Sequence, residues 1–246
     1  MTKALMARLD RLLANLGYGS RKDVQALISS GKVVLDGNLL KDVGTKVAVT
    51  ADLPERMTIR GRPVDPPAPL VLIMHKPLGV VCSHKEDGER IYDLLPKRWQ
   101  IRDPGLSTVG RLDKDTSGLI LITDDGDYLH RVISPKRHVP KTYLATLDRP
   151  LKGSEGALFS AGELMLEGEE KPLLPAELVV IDSHHARLTI TEGRYHQVRR
   201  MFAATGNHVV ELHRERIGGL PLPEDLEPGA HRILTAAEAE KVFGDE

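Results

Sequence analysis

Two short stretches of this chain carry the residue types that could do chemistry. Residues 110–118 read Gly-Arg-Leu-Asp-Lys-Asp-Thr-Ser-Gly, and residues 192–201 read Glu-Gly-Arg-Tyr-His-Gln-Val-Arg-Arg-Met. The first sets two carboxylates beside an arginine, in a turn that runs into an apolar strand. The second is a run of cations at what reads as a helix start. A reactive acid and a cationic surface able to hold a polyanion, in one chain, point to an enzyme acting on nucleic acid. Within the first stretch, Asp113 and Asp115 form a D-x-D pattern that admits four readings. It opens like an EF-hand calcium loop, but the twelfth position is Asp124 where Glu is expected, and residues 119–123 read as strand. It resembles the phosphatase motif with an aspartate nucleophile, but residues 106–110 make a weak strand before it, and the partner lysine and acidic pair are not evident. It fits a lone nucleophilic or acid–base Asp113 paired with a cation that holds it ionised. It also fits a solvated turn in which Asp115 and Thr116 cap backbone amides.

The elements that must position these residues fall into two parts. In the head, Leu9, Leu12, Leu13 and Leu16 follow helical spacing, and Gly17 and Gly19 end that helix. Ser20 with Asp23 forms a capping box for a second helix, which buries Val24, Leu27 and Ile28 and stops at Gly31. Residues 33–35 and 39–40 flank Asp36-Gly37, a strong hairpin signal. Residues 61–69 (Gly-Arg-Pro-Val-Asp-Pro-Pro-Ala-Pro) have the composition of an extended linker. The expected organisation is therefore a head over 1–60, a linker over 61–69 and a body over 70–246. In the body, residues 70–74, 79–83, 119–123, 142–147 and 209–212 read as strands, and 178–181 with 186–191 as a hairpin. Residues 196–205 read as a helix with Val198, Met201 and Phe202 inward, and Thr235 with Glu238 caps a last helix. Few strand–helix–strand alternations occur, so the expected class is α+β, with a mixed, largely antiparallel sheet.

Composition narrows the function classes. Of 246 residues 41% are hydrophobic, enough for a sizeable core, and only 4% are aromatic. No run of eighteen apolar residues occurs and the first ten residues lack a signal-peptide apolar region, so no membrane association is expected. Cys82 is the one cysteine and reads as a core residue, which excludes an internal disulfide and a cysteine zinc cluster. A cytoplasmic location fits these features. The net charge of −1 hides an asymmetry. Residues 1–50 hold eight Lys/Arg against four Asp, and the remainder is acidic. Arg8, Arg11, Arg21, Lys22 and Lys32 fall mostly outside the apolar stripes and could form one polyanion-binding face. Residues 184–216 form a second basic strip, with six Arg against three Glu.

The wording of residues 110–126 closely resembles the active-site motif of the pseudouridine synthases. Lys141-Thr142-Tyr143-Leu144 resembles the second motif of that superfamily, and residues 192–201 resemble its third. The head resembles the alpha-L RNA-binding motif, and residues 201–219 resemble the small-subunit ribosomal RNA branch in particular. The resemblance covers nearly the whole chain, with residues 48–68 the least recognisable. It implies conversion of a uridine in 16S rRNA, uridine 516, to pseudouridine. Asp113 would be the nucleophile and the target base would be extruded into a pocket. Arg111 would fill the vacated space or hold a phosphate. Tyr143 would stack on the uracil. Arg199 would pair with Asp113, and Leu212 would wall the pocket. Arg194, Arg200, Arg214 and Arg216 would hold backbone phosphates, with His196 and His213 nearby. No cofactor or metal is implied, since nothing is oxidised and no phosphate moves. The implied partner is 16S rRNA or an assembling small ribosomal subunit, met by a monomer. Two other readings remain: a 23S rRNA enzyme of the sister branch, and a non-catalytic RNA-binding assembly factor. A metal-dependent phosphatase is more distant, and EDTA sensitivity would revive it.

Overall fold

The computed structural model describes residues 5–83 and 87–244. Residues 1–4, part of the segment read above for a signal peptide, lie outside the described residues. The chain forms two compact units, one of residues 1–70 with 95–107 and 123–125, the other of 71–94, 108–122 and 126–246.

In the first unit, strand β1 (Leu5–Arg8) leads into helices α1 (Leu9–Asn15) and α2 (Arg21–Ser29), then strands β2 (Val33–Leu35), β3 (Asn38–Leu40) and β4 (Lys46–Val49). Helix α3 (Leu53–Arg56) precedes β5 (Met57–Ile59) and β6 (Arg62–Pro63). The leucine stripe of α1 is buried against Val24 and Ile28 of α2, and Val33, Leu53 and Met57 complete that core. Ser20 and Asp23 make the reciprocal capping box that their spacing predicts. Asp36 and Gly37 both take positive φ, 49° and 77°, as the two-residue hairpin requires. Residues 61–69 differ from the expected extended spacer. Arg62–Pro63 pairs with β5, and Val64 is buried in the same core. The composition of that stretch disfavours a central strand, but proline is tolerated at a sheet edge, and β6 is an edge strand. Within this unit Arg102 and Asp124 form a buried ion pair at 3.0 Å, and the Leu70 amide donates to the same carboxylate at 2.7 Å.

The second unit is built on a nine-stranded sheet. Its strands are β7 (Val71–Lys76), β8 (Ser107–Thr108), β9 (Thr116–Thr123), β10 (Lys141–Leu147), β11 (Glu177–Val180), β12 (His185–Ile190), β13 (Val209–Ile217), β14 (Leu220–Pro221) and β15 (His231–Ile233). The order is β11-β12-β10-β13-β9-β7-β15, with β14 on β13 and β8 on β9. β10 pairs antiparallel with β12 and β13, as do β11 with β12, β14 with β13 and β15 with β7, whereas β9 with β13 is parallel. Helices α4 (Gly126–Ile133), α5 (Glu155–Ser160), α6 (Gln197–Ala204) and α7 (Ala236–Glu240) flank the sheet. Val198, Met201 and Phe202 of α6 face inward as their spacing predicts, and Thr235 with Glu238 caps α7. Residues 79–83, expected as a strand, make only an isolated bridge from Val81 to Arg90. Gly79 there has φ 83°, a turn conformation that interrupts the apolar run. Cys82 is buried, and burial pushes its thiol pKa up.

The β9–β13 pairing is close because of one residue. Gly118 has φ 108°, and a Cβ there would lie 2.3 Å from the Arg214 carbonyl oxygen and 2.5 Å from its amide nitrogen. Gly118→Ala should therefore destabilise the protein by about 3 kcal/mol, through a clash with backbone added to strain. Gly229→Ala shares the positive φ but meets nothing within 4 Å, and should cost about 1 kcal/mol. Urea midpoints of the two variants check this ordering, and equal midpoints would contradict it.

Candidate active site

The D-x-D turn sits where β9 begins. The Thr116 amide closes it on the Asp113 carbonyl at 3.1 Å, so Asp113 and Asp115 project from the mouth of a buried strand. The Nε2 atom of His196 lies 3.4 Å from the Asp113 carboxylate, and both side chains are partly exposed. Arg199, on the first turn of α6, reaches Asp115 and not Asp113. Its Nη2 atom is 3.0 Å from the Asp115 carboxylate and donates to the Asp115 carbonyl at 2.9 Å. Its Nη1 donates to the Val209 carbonyl at 2.8 Å, at the start of β13. The expected Arg199–Asp113 pair is thus replaced by two contacts, His196 to Asp113 and Arg199 to Asp115. The reason is geometric: Asp115 reaches the guanidinium through both its backbone and its side chain.

Beneath this turn lies a cationic floor. Lys76 is 0% exposed and donates to the carbonyls of Thr116 at 2.8 Å and Pro77 at 3.1 Å. Burial pushes its pKa down, Asp113 and Asp115 oppose that shift, and Arg214 adds to it. Arg214, expected among the phosphate-holding surface cations, is only 2% exposed. Its Nε donates to the Leu119 carbonyl at 2.7 Å, and its Nη1 to the Tyr143 hydroxyl at 3.4 Å. The position is internal because Arg214 pairs with Gly118 on one side and Tyr143 on the other, in the middle of the sheet. Leu212 is also buried, between Thr116 and Ala145 in register. Since side chains alternate along a strand, Tyr143, Ala145, Leu212 and Arg214 share one face. Lys141 completes the floor, its ammonium donating to the Val139 carbonyl at 2.9 Å. Burial, with Arg214 nearby, lowers its pKa to about 8. Three polar atoms here are buried without a hydrogen-bond partner among the described residues: Arg199 Nε, Arg214 Nη2 and Thr116 Oγ1. An unpaired buried polar atom is costly, so these groups add to the strain of the floor.

The remaining candidates separate. Arg111 is exposed beside the turn. Arg194 and Arg200, expected to hold phosphates, are spent on the protein itself. Arg194 pairs with Glu192 at 3.0 Å and Glu169 at 3.1 Å, and donates to the Lys171 and Pro172 carbonyls. Arg200 pairs with the same Glu169 at 2.9 Å and donates to the Glu167 carbonyl. A basic sequence strip gives no view of Glu167 and Glu169, which come from a distant segment. Arg216 lines a groove of about 650 Å³ together with His75, Thr142, Arg187, His213 and Glu215. Thr142 and His213 alternate with Tyr143 and Leu212, so that groove belongs to the other face of the sheet. His213 accepts or donates a hydrogen bond with Ser117 Oγ at 2.9 Å, and burial lowers its pKa. In the first unit Arg8 and Arg21 converge on the buried Asp10 at 3.0 and 3.2 Å, which fixes both on its surface. Gln25 and the two arginines hold the Asp10 carboxyl well below the usual range against the opposing effect of burial. Arg11, Lys22 and Lys32 are exposed. Lys76 was not singled out by the sequence, although a lysine closing an apolar strand just before proline was a visible signal.

A family model for RNA pseudouridylate synthase matches residues 70–204, and one for the S4 domain matches residues 7–53. The chain is 43% identical over 236 residues to ribosomal small subunit pseudouridine synthase A of Vibrio cholerae serotype O1, spanning 96% of this chain and 99% of that protein. It is 42% identical over 240 residues to the protein of the same name from Escherichia coli K12, spanning 96% and 99%. A crystal structure of a pseudouridylate synthase superposes with a TM-score of 0.67 at 38% identity, over 96% of this chain and 99% of that one.

The floor makes stability depend on pH. The Lys141 pKa is about 8 in the folded protein against an ordinary 10.5. Between those values the unfolded chain binds more protons, so stability rises with pH across that window. Lys141→Met should flatten the rise between about pH 8 and pH 10, read from urea midpoints. An unchanged rise would remove Lys141 as its source.

Proposed function

Because this chain belongs to the RNA pseudouridylate synthase family, we propose that it converts a uridine of 16S ribosomal RNA, uridine 516, to pseudouridine, with Asp113 as nucleophile. The observation that carries the reading is the Asp113 carboxylate at the mouth of β9, 3.4 Å from His196 and above the buried cations Lys76 and Arg214. Asp113 attacks the target nucleotide and the bond from the sugar C1′ to uracil N1 breaks. The uracil turns, C5 joins C1′, the bond to Asp113 breaks and returns its carboxylate, the proton on C5 leaves, and N1 gains one. Atoms and electrons balance without oxidant, reductant or phosphate transfer. The reaction therefore calls for no cofactor, and EDTA should leave its rate unchanged.

A uridine in folded RNA must leave its stack to reach Asp113, at a cost of a few kcal/mol. Arg111, exposed beside the turn, is suited to hold the neighbouring phosphate or fill the vacated space. Tyr143 offers a ring for the uracil, a contact worth about 1–3 kcal/mol, and Arg214 fixes the hydroxyl end of that ring. Leu212 supplies an apolar wall. Arg199 acts through Asp115, holding the turn against α6 and β13. Arg8, Arg11, Arg21, Lys22 and Lys32 in the first unit contact backbone phosphates, which add affinity without sequence selectivity. The small-subunit assignment is supported by the names of the relatives, and the protein acts in the cytoplasm as a monomer on naked 16S RNA or an assembling particle.

The reaction is read as tritium release from 16S and 23S transcripts labelled at uracil C5. Release from 16S RNA is expected, falling to background in Asp113→Asn with RNA affinity kept or raised. Full release by Asp113→Asn would remove Asp113 as nucleophile. Release from 23S RNA alone would move the substrate to the large subunit, and no release from either would leave an RNA-binding factor. Lys22→Ala combined with Lys32→Ala should lower the slope of log affinity against log salt by about 1.5, from two lost phosphate contacts. An unchanged slope would take these lysines out of the RNA face.

A further inference from the structure

Of the nine aromatic side chains, Tyr195 alone is exposed, at 72%. The others are buried or half-buried, as apolar rings in a folded chain should be. Tyr195 is also one residue from the reactive centre. Its ring lies flat on the His196 ring, with centroids 3.9 Å apart and planes inclined by 16°. His196 in turn contacts Asp113 at 3.4 Å. One face of the tyrosine is therefore covered by the histidine and the other is open.

The backbone under this stack is specialised. His196 has φ 48° and ψ 34°, a left-handed conformation that is uncommon outside glycine and persists only where the surroundings enforce it. The surroundings here are identifiable. Arg194 and Arg200, on either side of the pair, are both tied to Glu169. Gln197 accepts from the Arg194 amide at 3.0 Å and donates to Glu192 at 3.1 Å. Arg200 also donates to the Tyr195 carbonyl at 3.1 Å. The cations of this segment are thus used to hold a loop that presents an open aromatic ring.

We propose that the Tyr195–His196 stack is a nucleobase-binding subsite that receives the base of a nucleotide flanking the target uridine. An extruded base leaves its neighbours partly unstacked, and a flat ring beside the nucleophile replaces that lost stacking for one of them. Every base has a π face, so the subsite takes its occupant by stacking and not by edge hydrogen bonds. His196 links the platform to Asp113 on the facing turn, so the flanking base is held beside the nucleophile. The inference rests on the RNA isomerase reading and adds a second base to it.

The test uses the full-length protein and the rRNA fragment whose uridine the wild type converts. Tyr195→Ala should raise KM about tenfold, with the effect on KM and not kcat. Tyr195→Phe should restore most of the loss, and Tyr195→Leu, apolar but without a ring, should not. Removing the base of one flanking nucleotide should raise KM by a similar factor for the wild type and add nothing for Tyr195→Ala. An unchanged KM in Tyr195→Ala, rescue by leucine, or additive penalties at both flanking positions would overturn the subsite while leaving the isomerase reading intact. Failure of the wild type to convert any uridine would instead overturn the isomerase reading and the subsite with it.

Discussion

A single buried guanidinium ties the catalytic unit together. Arg214 sits on β13, donates to the Leu119 carbonyl of β9, and reaches the Tyr143 hydroxyl of β10. Those three adjacent strands carry, or lead out of, the segments that hold the candidate chemistry. A charge in the middle of a sheet is costly unless it is hydrogen-bonded, and breaking one of its bonds leaves it uncompensated. The arginine therefore enforces one register among the strands. Gly118 makes the arrangement possible, because any side chain there would collide with the Arg214 backbone. Lys76 repeats the device one strand over, giving its buried ammonium to the Thr116 carbonyl. The turn bearing Asp113 is pinned at its base by Lys76, whose charge the two aspartates help to sustain.

Above that floor the electrostatics run differently. Arg199 spends its charge on Asp115 and on the end of β13, which leaves Asp113 to His196. Arg194 and Arg200 converge on Glu169, whose carboxyl they hold below its ordinary range, with Arg200 the larger influence. A strip that is basic in sequence is largely neutralised in space. Loop rigidity is what these ion pairs supply, and in the proposed reading contact with RNA falls to the exposed aromatic ring and to the basic residues of the first unit.

Much of this was legible in the chain. The leucine stripe of α1, the Ser20–Asp23 and Thr235–Glu238 capping boxes, the Asp36-Gly37 hairpin and the strand after Asp113 depend on neighbours within a few residues, and local pattern suffices for them. The family was legible for the same reason, since each of the three motifs is an unbroken local run. Long-range pairing was not. The partner of Arg199 depends on which carboxylate of a turn 84 residues away swings toward it. The burial of Arg214 depends on a parallel contact with β9 that no local period records. The bridge at Val81 in place of a strand, and the edge pairing of Arg62–Pro63, turn on which backbone happens to run alongside.

The most direct measurement of the central claim is the position of the product. Unmodified 16S and 23S rRNA are incubated with the protein, without metal or cofactor, and pseudouridine is located by carbodiimide labelling and primer extension. The account predicts one new stop, in 16S RNA, that is absent after incubation with Asp113→Asn. No new stop in either RNA, with a partly assembled small-subunit particle also tried, would contradict it.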